Sequence, residues 1–195
     1  MNTLLHLDQE LFFIINQDLG NPVLDAIMPW WRDKQTWVPL YLALLIFALV
    51  KFKKKGVTFA LAVILTAGLA DAISSHVMKP TFERVRPCND PALKSTIELR
   101  AGCGKAYSFT SSHATNHMAV ATIIALTLGL VYPVIRWPFY LWAVSIAFGQ
   151  VYVGVHYPGD VIVGAFIGWV IGNIVAKTYL RLPTRWRLTT DGKRA

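Results

Sequence analysis

Between Ala114 and Tyr152 the only charged side chain is Arg136. A water-soluble helix of that length keeps a polar face, and none is present here. In hydrocarbon each backbone polar group must be satisfied within its own segment, so such a run folds as helices. A span takes roughly 17 to 25 mostly apolar residues. The run therefore divides at Arg136 into two spans, about Ala114–Ile135 and Trp137–Tyr152. Three more runs of the same kind lie at about Trp37–Phe52, Val57–Met78 and Gly159–Leu180. The expected fold is an all-α integral membrane protein, a bundle of about five transmembrane helices. Composition agrees: 54% of the 195 residues are hydrophobic and 15% are charged, against about 25% charged in a typical soluble domain. A disordered chain is excluded.

The first 36 residues read differently. Residues 3–31 mix apolar side chains with Asp8, Glu10, Asp18 and Asp25, and Asn21-Pro22 marks a break with Pro in the first turn of a new helix. Two amphipathic helices lying in the membrane interface are expected, with Trp30 and Trp31 as anchors; a sixth span is the alternative. Asp8 and Glu10 stand where a secretory signal would be basic, so no signal peptide is expected. The chain reads as one domain: interfacial helices over 1–36, a bundle over 37–180 and a basic tail over 181–195.

Charge orients the bundle. The net charge is +8, which in a soluble chain would point to nucleic acid. Here the cations sit in the links. Lys51, Lys53, Lys54 and Lys55 separate spans one and two, Arg136 separates three and four, and Arg181, Arg185, Arg187, Lys193 and Arg194 follow the last. With five spans all three groups fall on one side, which the positive-inside rule makes cytoplasmic. Partners are then the bilayer and a membrane lipid, not nucleic acid. Gly164, Gly168 and Gly172 recur at a spacing that lets helices approach closely, most simply within the chain.

Ionisable residues at membrane depth are functional candidates by default. Lys79, Arg84 and Arg86 follow span two, His113 and His117 open span three, and His156 and Asp160 lie between spans four and five. All fall on the outer side, which suggests one site there. Lys79 and Arg86 suit an anion, phosphate most of all, because the guanidinium offers a rigid fork of donors. A hydroxyl of Thr110-Ser111-Ser112 would cap span three, whose N-terminus favours an anion. Asp160 can fix the tautomer of His156, leaving its other nitrogen as nucleophile. His113 could protonate the leaving oxygen. A neutral His156 and a protonated His113 together imply a bell-shaped pH–rate profile. The pair His113 and His117 has the spacing of a zinc helix, but the usual Glu is absent, so no metal is expected. His76 is expected to pair with Asp71 inside the bundle. Cys88 and Cys103 fall on the oxidising side, where a disulfide would close a loop of about 15 residues.

These residues resemble the type 2 phosphatidic acid phosphatases, membrane lipid phosphatases related to vanadium haloperoxidases. Lys, six residues, Arg-Pro is complete as Lys79 to Arg86-Pro87. Pro-Ser-Gly-His is matched in part by Thr110-Ser111-Ser112-His113. Ser-Arg, five residues, His, three residues, Asp is matched by His156 and Asp160, with Gly149-Gln150 in place of Ser-Arg. The resemblance implies that Lys79, Arg86 and Ser111 bind phosphate, with Ser112 and Gln150 at the remaining phosphate-binding positions. It implies a His156 phosphohistidine, an orienting Asp160, an acid in His113, and no cofactor or metal. Arg84 and Lys105 are candidates to replace the charge missing at Gln150. The implied reaction is hydrolysis of a phosphomonoester or diphosphate lipid, of undecaprenyl diphosphate, lipid A or phosphatidic acid type, at the outer face. A weakened lipid- or anion-binding member and a phosphotransferase are the alternatives.

Overall fold

The computed structural model describes residues 2–189, and the tail residues Lys193 and Arg194 lie outside them. Helices are the regular elements of the described residues, with no strand among them. Helices α1 (Asn2–Phe13) and α2 (Pro22–Trp31) come first. Asn21 starts α2: its side chain accepts from the N–H groups of Val23 and Leu24, ahead of Pro22. Helix α1 runs on through a π-helical stretch, Ile14–Asp18, and neither it nor α2 is among the helices long and apolar enough to cross a membrane.

The bundle follows. Helix α3 (Val38–Phe52) turns at Lys53 into α4 (Lys54–Ala72), which runs on through a π-helical stretch, Ile73–Met78, into the short α5 (Lys79–Phe82). Helix α6 (Ser112–Leu126) is prolonged by α7 (Leu128–Val131), then α8 (Arg136–Tyr152) and α9 (Pro158–Leu180) complete the set. Four helical stretches are long and apolar enough to cross a membrane: Lys34–Phe52, Lys54–Phe82, Ser112–Val131 and Pro158–Leu180. The fifth, α8, has 17 residues, the lower end of the range for a span.

Helix α6 is the axis. It is buried nearly all round and packs against α9, α8 and α4. The outer helices turn large apolar side chains outward, among them Leu42, Ile46, Ile64, Leu141, Ile162 and Phe166. That is the surface a bilayer requires, because lipid is as apolar as a core. The glycine stripe of α9 faces α6. A Cβ at Gly168 would stand 2.1 Å from the Thr115 carbonyl oxygen, and one at Gly172 would stand 2.7 Å from that of Ala119. The stripe therefore joins two helices of the same chain. Gly168→Ala should cost about 3 kcal/mol, a fall in Tm of roughly 6–12 °C. Gly68, whose Cβ would meet nothing within 4 Å, should gain slightly on substitution by Ala. Thermal melts in detergent of the two variants check the contrast.

Trp31 is partly buried: its indole N–H donates to Ser145 Oγ (2.9 Å) and its ring stands edge-on to Trp37. One expectation needs correcting. Asp71 accepts from the side chain of Asn116 (3.1 Å), not from His76, which lies exposed five residues on.

The basic links gather at the end of the bundle away from His156. Lys55 donates to Thr189 Oγ1 (3.0 Å), Arg136 to the Gly129 carbonyl (2.9 Å) and Arg187 to the Leu180 carbonyl (2.8 Å).

Candidate active site

The other end gathers Lys79, Arg86, His113, His156 and Asp160. The loop 83–111 is held there by the Cys88–Cys103 disulfide, which removes about 3 kcal/mol of loop entropy from the unfolded chain. Arg100 ties the loop to the N-terminal segment, donating to Asp25 (2.5 Å) and to the Asn16 carbonyl (2.6 Å). Buried Asn16 adds two bonds of 2.8 Å to the backbone of Glu98.

His156 is 2% exposed. Its Nδ1 faces Asp160 Oδ2 at 3.3 Å, and its Nε2 lies 3.0 Å from Arg86 Nη1. A guanidinium only donates, so Nε2 accepts and the proton sits on Nδ1, directed at the carboxylate. Burial lowers the His156 pKa to about 4, against the opposing pull of Asp160. The ring is neutral at pH 7 with an unprotonated Nε2.

Asp160 is fully buried at the start of α9. Oδ1 accepts from Arg84 Nη1 (2.9 Å), and Oδ2 accepts from the Tyr157 N–H (2.9 Å) and from the Ser108 hydroxyl. Arg84 also donates to Asp8 Oδ2 (2.6 Å) and lies 3.9 Å above the Tyr157 ring. Asp8 in turn accepts from the Gly159 N–H (2.6 Å). Arg84 is therefore spent on two carboxylates and does not replace a charge at Gln150. Lys105 does not either, since it lies exposed on the loop.

The anion-binding candidates divide. Arg86 donates to the carbonyls of Ala106 (2.7 Å) and Val155 (3.0 Å), which aim it at His156. Burial pulls its pKa down, opposed by Asp160, and the group remains a cation. Lys79 spends two of its three donors on the carbonyls of Tyr107 (2.8 Å) and Thr110 (2.9 Å). Ser111 caps α6, accepting from the Ala114 N–H, while its own N–H donates to the Asp160 carbonyl (3.1 Å). Only its hydroxyl proton is left for a phosphate. The Ser112 hydroxyl is turned away, toward Ser74 (2.9 Å) and Ser75 (3.1 Å), so Ser112 can offer its first-turn N–H and not its side chain. Gln150 is buried, and its amide nitrogen donates to the Arg32 carbonyl (3.3 Å). His113 sits in the first turn of α6, its ring parallel to that of His117 with centroids 6.2 Å apart. Near it are His156 and the cations Arg32 and Lys34.

Sequence reasoning missed Asp8, Ser108 and Arg32. Asp8 and Ser108 surround the carboxylate. Neither carries a local signal, since each meets Asp160 or Arg84 only through the fold.

A buried imidazole backed by a carboxylate and faced by two cations, at the mouth of a membrane-spanning helical bundle, defines a class of phosphate-handling membrane proteins. The chain belongs to the PAP2 superfamily, whose family model matches residues 55–183. It is 31% identical over 193 residues to the lipid A 4'-phosphatase of Porphyromonas gingivalis, covering 95% of this chain and 78% of that one. Among solved structures, LpxE of Aquifex aeolicus aligns with a TM-score of 0.67 at 29% identity, covering 88% of this chain and 95% of that one. The PAP2-type phosphatidylglycerolphosphate phosphatase of Bacillus subtilis aligns at 0.76 and 21% identity, over 94% and 90%, a likeness of fold.

Proposed function

We propose that this protein dephosphorylates a lipid A-type phosphomonoester through a phosphohistidine at His156, in a site facing away from the cytoplasm. The coarser statement is firm: the chain is an integral membrane phosphoric ester hydrolase of lipids. The arrangement of His156 carries the finer one. Its Nδ1 is held by Asp160 and its Nε2 is aimed at the cation that would hold the phosphate.

The Nε2 lone pair attacks phosphorus. The bond from phosphorus to the lipid oxygen breaks, and that oxygen leaves with a proton from His113. Water then attacks the phosphohistidine, giving its proton to His113, and the P–N bond breaks to release phosphate and neutral His156. Arg86 and Lys79 balance the charge of the phosphoryl oxygens, with the α6 N-terminus behind them. Asp160 steadies His156 as it becomes positive. The basic links at the opposite end support a cytoplasmic placement for that end. The lipid A relative favours a phosphomonoester on a saccharide lipid.

Phosphate release by the purified protein with EDTA present tests the reading, with lipid A, undecaprenyl diphosphate and phosphatidic acid offered side by side. Release is expected from lipid A first, and none from His156→Ala. A preference for undecaprenyl diphosphate would overturn the substrate. Phosphate found on a second lipid instead of in solution would show a phosphotransferase, and no turnover by folded protein would show an anion-binding member.

A further inference from the structure

Arg32 ends α2, where its N–H donates to the Met28 carbonyl (3.2 Å). Its side chain lies on α8: a Cβ added to Gly149 would stand 3.2 Å from Arg32 Cβ. The next residue of α8, Gln150, holds the Arg32 carbonyl with its buried amide. Arg32 Nε is buried and has no hydrogen-bond partner. Among the described residues no ion pair joins Arg32 to a carboxylate. The neighbouring Asp33 bears on it without forming an ion pair, and the Arg32 charge in turn bears on Arg86 and on His113, both at the site.

A half-buried guanidinium with an orphaned donor, within electrostatic reach of a second guanidinium, is an unfavourable arrangement on its own. It becomes favourable when a dianion sits between the two. A helix C-terminus alone would attract a cation, but it would not call for burial of Nε away from every acceptor.

We propose that Arg32 is a phosphate-contacting residue, the cation that completes the anion site from the N-terminal segment where α8 carries Gln150. This rests on the phosphatase reading and adds to it the source of the missing charge. Gln150 becomes a positioning residue, since it fixes the backbone of the segment that delivers the guanidinium. The small side of α8 at Gly149 is what admits the Arg32 stem.

The test measures binding of inorganic phosphate to the full-length protein in detergent, by the rise in Tm with phosphate concentration and by competitive inhibition of turnover. Arg32→Gln should weaken phosphate binding and raise KM by at least about tenfold, as expected for loss of a charge-assisted contact. Arg32→Lys should retain part of the affinity, because it keeps the charge but not the fork. Without phosphate, Arg32→Gln should melt no lower than the parent, because a buried donor without a partner has been removed. A purely structural cap would instead lower Tm and leave phosphate affinity unchanged, and that result would overturn the proposal. Arg32→Met, which keeps the stem against Gly149, replaces the Gln variant if the latter does not fold. Arg86→Gln is the reference. Weakening by Arg86→Gln alone sinks only the role of Arg32, whereas no weakening by either variant sinks the anion site itself.

Discussion

Replacing His156 with alanine should lower phosphate release by about 10⁵-fold or more, the scale of loss when a nucleophile is removed from a catalytic unit. The expectation rests on position. No other imidazole among the described residues has one nitrogen on a carboxylate and the other on an arginine. His117 Nδ1 is committed to the His113 carbonyl at 2.8 Å, and its ring is packed against Trp142. The fold should survive, because Asp160 keeps its bonds to Arg84, Ser108 and the Tyr157 N–H. The measurement has two parts. An alkaline quench of protein turning over a ³²P-labelled lipid should trap a phosphoenzyme in the parent and none in His156→Ala. A p-nitrophenyl ester, whose leaving group needs no proton, should restore much of the first-turnover burst of p-nitrophenol lost in His113→Ala and none of that lost in His156→Ala. Equal rescue of both variants would refute the division of roles. A labelled phosphoenzyme persisting in His156→Ala would move the nucleophile elsewhere.

What was legible in the sequence follows from which constraints are local. A bilayer sets the length and polarity of a span, so the helices could be read from apolar runs, and a helix of 17 residues such as α8 could still be recognised between Arg136 and the polar turn. His156 and Asp160 lie four apart across the entry to α9, and Lys79 and Arg86 lie seven apart in one short segment. Such pieces keep their geometry wherever the chain goes. The outer wall of the site was not legible for the opposite reason. Asp8 meets Arg84 across 76 residues of chain, and nothing around Asp8 separates it from Glu10 or Asp18 on the same amphipathic segment. Arg84 read as a spare cation because its two carboxylate partners come from opposite ends of the sequence. The bond from Trp31 to Ser145 was equally out of reach, because it exists only once α2 docks on α8. The N-terminal helices are short, as read, but what they do is tertiary: Asp25 and Asn16 hold Arg100 of the loop, and Asp8 holds Arg84 and the Gly159 N–H beside Asp160.

Asp160→Asn should lower turnover by about 10³- to 10⁴-fold, comparable to loss of the orienting carboxylate in a triad. The amide is the same size and can still accept from Arg84 at Oδ1, while an NH₂ at the Oδ2 position gives up the bond from the Tyr157 N–H. The change that reaches the reaction is at the imidazole. An amide can present its NH₂ to Nδ1 and favour the wrong tautomer, and it cannot balance the positive charge that His156 gains as phosphorus is attacked. The pH profile separates this from simple damage. Asp160 favours the protonated form of His156, while burial disfavours it, and the balance leaves the pKa lowered to about 4. Removing the carboxylate takes away the charge that raises it, so the pKa falls further. The acid limb of kcat/KM therefore moves to lower pH in the variant even though its plateau drops, and the same substrate in both proteins cancels the ionisation of its phosphate. Arg84→Gln gives the comparison. It removes one support of Asp160 but leaves Oδ2 on Ser108 and the Tyr157 N–H, so it should cost stability more than rate and leave the acid limb near its parent position. If Asp160→Asn instead lost less than tenfold with the limb unmoved, the carboxylate would be a structural tie between α9, Arg84 and Asp8, and His156 would have to owe its orientation to Arg86 alone.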